Sequence, residues 1–211
     1  MVQTISAKDI SLAQLERIYN LELVSELDFF REWEENLPEI TAIEIQRLDR
    51  VKASYTYLLK YPPLLENTVK MVVLSPLLDL AGFYLSPFRI KSEESITLVS
   101  EDENMIVKGQ IDVLVISEAL WVVVIESKKA EFSLEAGRPQ LLTYMLANPC
   151  QDKPTYGLLT NGGSFRFLKL IKTQDSAKYA VSRIFDLFNP GNELIEVLKV
   201  LKNLANLSVY D

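Results

Sequence analysis

The chain has 211 residues, 48% of them hydrophobic and 24% charged, which is the make-up of one globular domain with a sizeable core and not of a disordered tail. It has no histidine and a single cysteine, so a histidine base, a histidine-ligated zinc, Ser-His and Cys-His dyads and an internal disulfide are all excluded. The net charge of −7 argues against tight unaided binding of a polyanion, because nonspecific affinity for nucleic acid comes mainly from neutralised phosphates.

The opening residues lack the charged-then-apolar layout of a signal peptide, and no apolar run is long enough to cross a bilayer, so a cytoplasmic protein is expected. Residues 1–63 read as a helical extension packed on the rest. Ser11-Leu-Ala-Gln14 has the form of a capping box ahead of Leu12, Leu15, Ile18 and Tyr19, and Ser25 is a candidate cap for a second helix through Phe29, Phe30 and Trp33. A third helix is expected from Pro38 to about Lys60, with Ile40, Ile43, Leu48, Val51 and Tyr55 on or near its apolar side and Tyr61-Pro-Pro63 ending it. Aromatic residues at helical spacing beside many glutamates read as core, not as a base-stacking platform.

Residues 64–211 read as the core of the molecule plus a C-terminal helix. A helix over about Leu65 to Phe83 is followed by two separate strand-like pieces, Pro87–Ile90 and Ile96–Val99, around a charged turn. Val107–Ile116 is a further strand. Trp121–Ile125, apolar at every position, is expected of a central strand covered on both faces, hairpinned to its predecessor around Ser117-Glu118-Ala119. After a helix carrying Gln140, the runs Thr155–Thr160 and Ser164–Leu170 flank Asn161-Gly-Gly163, a hairpin signal and not a phosphate loop, since no Lys-Ser/Thr and no helix follow. A strand near Tyr179 to Phe185 and a helix from about Asn192 to Leu207 complete the order. Cys150, next to Pro149, reads as a loop thiol without a role.

Chemistry concentrates in one stretch. The apolar strand ends in Glu126-Ser127-Lys128-Lys129, and alternation puts Glu126 and Lys128 on one side. With the hairpin formed, Asp112 comes near Glu126. Two converging carboxylates repel unless a cation sits between them, and a hard divalent ion with oxygen ligands, Mg²⁺ with Mn²⁺ as a substitute, suits the pair. Such an ion can activate water for attack on a phosphodiester, with Lys128 beside it.

Asp112, Glu126 and Lys128 in this order resemble the signature of the PD-(D/E)xK nuclease superfamily, and Gln140-Leu-Leu-Thr-Tyr144 resembles the Gln-xxx-Tyr motif of its RecB-like branch and of the nuclease domain of type I restriction motor subunits. Ile111 stands where the superfamily's name would put proline. The resemblance implies a restriction endonuclease-like α/β fold with an αβββαβ core and a mixed sheet over about residues 64–172. It implies a Mg²⁺-dependent nuclease acting on DNA, or on RNA, with Asp112 and Glu126 on the metal, Lys128 on the water, and Gln140 and Tyr144 supporting the substrate. Glu66, on the first core helix, is a candidate further metal ligand. Lys129 and Arg138, with Arg166, Lys169 and Lys172, are candidates for a phosphate-facing rim. The partners so implied are a nucleic acid, a second copy of the chain, or a motor or specificity subunit.

Each residue also has a plainer reading. Asp followed by Glu-x-Lys is common in a chain this charged, and residues four apart share a helix face whether or not they bind substrate. A glutamate in a first helical turn is favoured by the helix dipole, and lysines at a rim are ordinarily solvated. The alternative function is therefore an inactive module of the same fold, a subunit of a restriction or defence assembly.

Overall fold

The computed structural model describes residues 2–100, 104–117, 120–131, 133–150, 153–174 and 176–210. Its helices are α1 (Leu12–Tyr19), α2 (Ala42–Leu58), α3 (Glu66–Val69), α4 (Ser75–Leu80), α5 (Leu134–Leu146) and α6 (Leu194–Tyr210). Its strands are β1 (Gln3–Ser6), β2 (Leu21–Leu23), β3 (Phe88–Ser100), β4 (Met105–Ser117), β5 (Leu120–Ser127), β6 (Thr155–Thr160), β7 (Ser164–Lys172), β8 (Ala177–Val181) and β9 (Phe185–Asp186). From α3 to β6 the order is helix, three strands, helix, strand, and the class is mixed α/β, as expected for this part of the chain.

One sheet runs β1-β4-β5-β6-β7-β8-β2, with β3 also on β4 and β9 on β7. The pairs β3–β4, β4–β5, β6–β7 and β7–β8 are antiparallel, and β5–β6 is parallel across the α5 crossover. Successive residues separate to the two faces. Val123 and Leu158 pack with Leu48 and Val51 of α2, Leu77 of α4 and Leu198 of α6, whereas Val124 and Leu159 pack with Leu15 of α1 and Leu141 and Met145 of α5. The apolar Trp121–Ile125 run is thus explained by helices on both sides.

The N-terminal part departs from an all-helical reading. The Ser11 capping box and the Thr41–Glu44 box open α1 and α2, but residues 3–6 and 21–23 are strands, added in parallel to β4 and β8. No helix forms between Ser25 and Trp33; turns replace it. Their side chains serve different partners: Phe30 is buried against Tyr156, Trp33 meets Phe185 edge-on, and Glu32 turns inward to Lys169. A single amphipathic face could not reach all three.

β3 is also one strand, not two pieces. The expected charged turn is a local defect at Glu93, whose φ of 56° is left-handed. Its neighbours keep register, Ser92 with Val113 and Glu94 with Ile111, so the break lies opposite Asp112. The hairpin turn between β4 and β5 falls on residues 118 and 119, outside the described residues.

Candidate active site

Register brings the motif together. Near their turn β4 and β5 pair Ser117 with Leu120 and Ile116 with Trp121, a series that would end with Asp112 facing Ile125. A bulge between Val115 and Ile116 shifts it by one, giving Val113 with Ile125, a register whose continuation would face Asp112 with Glu126. Asp112 is then latched to the Glu-Ser-Lys segment: the Ser127 backbone N–H donates to its Oδ2 at 2.7 Å.

The residues extend into a chain of polar contacts. Lys128 Nζ donates to Glu126 Oε1 and, at 2.7 Å, to Gln140 Oε1; Gln140 Nε2 donates to the Tyr144 hydroxyl at 2.7 Å. All four expected partners of Asp112 in the motif are therefore connected, Gln140 and Tyr144 by their shared face of α5. Two glycines let the elements close up. A Cβ at Gly137 would lie 2.9 Å from Leu159 Cδ1 and 3.1 Å from Lys128 Cε, and one at Gly109 would lie 2.6 Å from Tyr144 Cε1. A glycine inside a helix was the available signal for close approach, and only its position relative to Lys128 was hidden.

Glu66 joins the cluster indirectly. It forms an ion pair at 3.0 Å with Lys70, one helical turn on, and Lys70 Nζ donates to Asp112 Oδ1 at 2.7 Å. Lys70 was not foreseen, although its i, i+4 spacing from Glu66 marks a same-face pair. It begins a π-helical segment, Lys70–Leu74, between α3 and α4. Pro76 supplies a reason for the widening: it has no N–H to return to Val72, and its ring crowds that carbonyl.

Burial makes these charges costly. Glu126 is 2% exposed, and burial followed by repulsion from Asp112 pushes its carboxyl up to about 7, with the Lys128 charge pulling the other way. Burial also raises Asp112, against hydrogen bonds from Lys70 and the Ser127 backbone. Tyr144 is pushed up to about 12 by burial and by the Glu126 charge.

The rim is only partly formed. Lys129 is exposed. Arg138 and Arg166 both pair with Glu135, the former at 3.1 Å. Lys169 forms a half-buried pair with Glu32, and Lys172 donates to the Leu146 carbonyl at 3.3 Å.

The donors suit a hard cation in chemistry: Glu66, Asp112 and Glu126 offer only oxygen, and the buried Glu126 Oε2 has no hydrogen-bond partner. In spacing they do not yet form a cage, since among the described residues no three His, Cys, Asp or Glu side chains converge on a point.

No family model matches the sequence, and no curated protein matches it. Among solved structures, a fragment assigned to the HsdR subunit of a type I restriction enzyme from Vibrio vulnificus YJ016 is similar at 17% identity with a TM-score of 0.37, over 54% of this chain and 22% of that one. The chain thus spans about a fifth of that structure, and a likeness of this size carries no functional weight. Among the described residues no helix is long and apolar enough to cross a membrane.

Proposed function

We propose that the chain is a divalent-metal-dependent nuclease of the PD-(D/E)xK type, hydrolysing phosphodiester bonds of DNA. The observation that carries this reading is the Ser127 N–H bond to Asp112, which ties the acid of one strand to the middle of the Glu-x-Lys of the next. Asp112 and Glu126 would hold Mg²⁺, with Glu66 beside them, and the ion when bound supplies Lewis acidity and a more acidic water. Lys128 has its ammonium fixed by Glu126 and Gln140, which suits it to orient the attacking water and to offset negative charge on the phosphorane. Tyr144 keeps Gln140 in place through its hydroxyl.

A test compares wild type with Lys128→Ala on single-stranded, duplex and branched DNA and on RNA, in Mg²⁺, Mn²⁺ or EDTA. Metal-dependent cutting by wild type and none by the variant is expected; equal cutting by both removes Lys128 from the mechanism. A second reading, a non-enzymatic module in a larger assembly, is favoured by the net charge of −7. A Mn²⁺ titration followed by calorimetry that is silent in wild type and in Asp112→Asn alike would select it.

A further inference from the structure

Lys70 is a charged group in contact with the proposed metal ligands to which the proposed chemistry gives no part. Its ammonium stands 2.7 Å from Asp112 Oδ1 and 3.0 Å from Glu66 Oε1, bridging two of the three carboxylates suited to a metal. A divalent ion on Asp112 would meet that ammonium at contact distance, where like charges repel by several kcal/mol at an effective dielectric of roughly 20. Both cannot stay. The lysine is the mobile partner, with four rotatable bonds and a side chain 22% exposed. It borders an open surface groove lined by Met71, Leu74, Ser75, Tyr84, Ile90 and Ser92.

We propose that Lys70 is a resident counter-cation, a positioning residue that neutralises Asp112 and Glu66 together and gives up Asp112 when a divalent cation binds. This rests on the metal-dependent reading of the site. Replacing the ammonium by a neutral side chain of similar length removes the competitor. Replacing it by arginine keeps the charge.

The experiment is calorimetric titration of Mn²⁺ into wild type, Lys70→Met and Lys70→Arg, with folding checked by circular dichroism and Lys70→Gln held as a second neutral variant. Lys70→Met should bind Mn²⁺ about ten-fold more tightly than wild type, and Lys70→Arg no more tightly than wild type. If wild type binds Mn²⁺ and the neutral variants bind no better, the counter-cation role is overturned while the metal site stands. Arginine behaving like methionine overturns it as well, because charge would then not be the competing property. Silence in wild type and neutral variants together overturns the metal reading and this inference with it.

Discussion

Among the described residues, a lysine–glutamate–tyrosine group lies largely out of solvent on each face of the sheet, and the two differ in their company. On the α6 side, Glu32 Oε1 accepts from Lys169 and, at 2.9 Å, from the Tyr156 hydroxyl, while the Glu32 carbonyl accepts from Asn203. On the α5 side, Glu126 takes Lys128, whose ammonium reaches through Gln140 to Tyr144. In each the second carboxylate oxygen is buried without a hydrogen-bond partner. Only Glu126 is pressed by further acids, Asp112 and Glu66. A buried ion pair is thus no mark of chemistry by itself; like charges gathered where they repel are the better sign.

The sharpest way to break this contrast is to remove each lysine. Lys128→Met should abolish cleavage yet cost little stability below pH 7, because Glu126, already pushed up to about 7, takes a proton instead. Lys169→Met should leave cleavage intact and lower stability by about 2 kcal/mol, since it leaves the half-buried Glu32 with its Tyr156 hydrogen bond but no cation. Urea unfolding beside a nuclease assay reads both, and the reverse pattern would erase the distinction.

The acid crowding itself can be weighed with Glu126→Gln in EDTA. The native carboxyl sits near 7 against an ordinary 4.5, so the native state holds its proton more tightly than the unfolded chain does. Stability therefore falls as pH rises from about 4.5 to about 7. The variant should match wild type near pH 4.5 and exceed it above pH 7 by up to about 3 kcal/mol. Urea midpoints at pH 5 and 8 measure this; no gain at pH 8 would mean that Lys128 fully offsets the repulsion. The smallest effect is expected from Tyr144→Phe, which leaves a buried Gln140 donor without its acceptor, costing about 1 kcal/mol and slowing cleavage a few-fold. Tyr156→Phe should cost similar stability and leave the cleavage rate unchanged.

Much of this was legible in the residues. The all-apolar Trp121–Ile125, the hairpin at Asn161-Gly-Gly163 and the Ser11 capping box are local signals, and each produced the element it announced. Asp112, Glu126, Lys128, Gln140 and Tyr144 also lie in one connected polar cluster. What stayed hidden was non-local. Nothing in the sequence of β4 and β5 announces the one-residue bulge that faces Ile125 with Val113 instead of Asp112. Lys70 comes from a helix 42 residues before Asp112. The stretch from Ser25 to Trp33 has helical spacing, but three distant partners claim its side chains and tertiary contact overrides propensity.

The first two strands have a consequence for how the chain is made. β1 pairs only with residues from Met105 onward and β2 only with residues from Ala177 onward, so both leave the ribosome long before a partner exists. At roughly 5–20 residues per second, the wait for β2 is on the order of ten seconds or more. Through that time Leu21, later 4% exposed, lacks its strand partner Ala177. Closing the sheet at both its β4 step and its β8 edge therefore waits on residues made about a hundred or more positions later, a long-range pairing of the kind that slows folding.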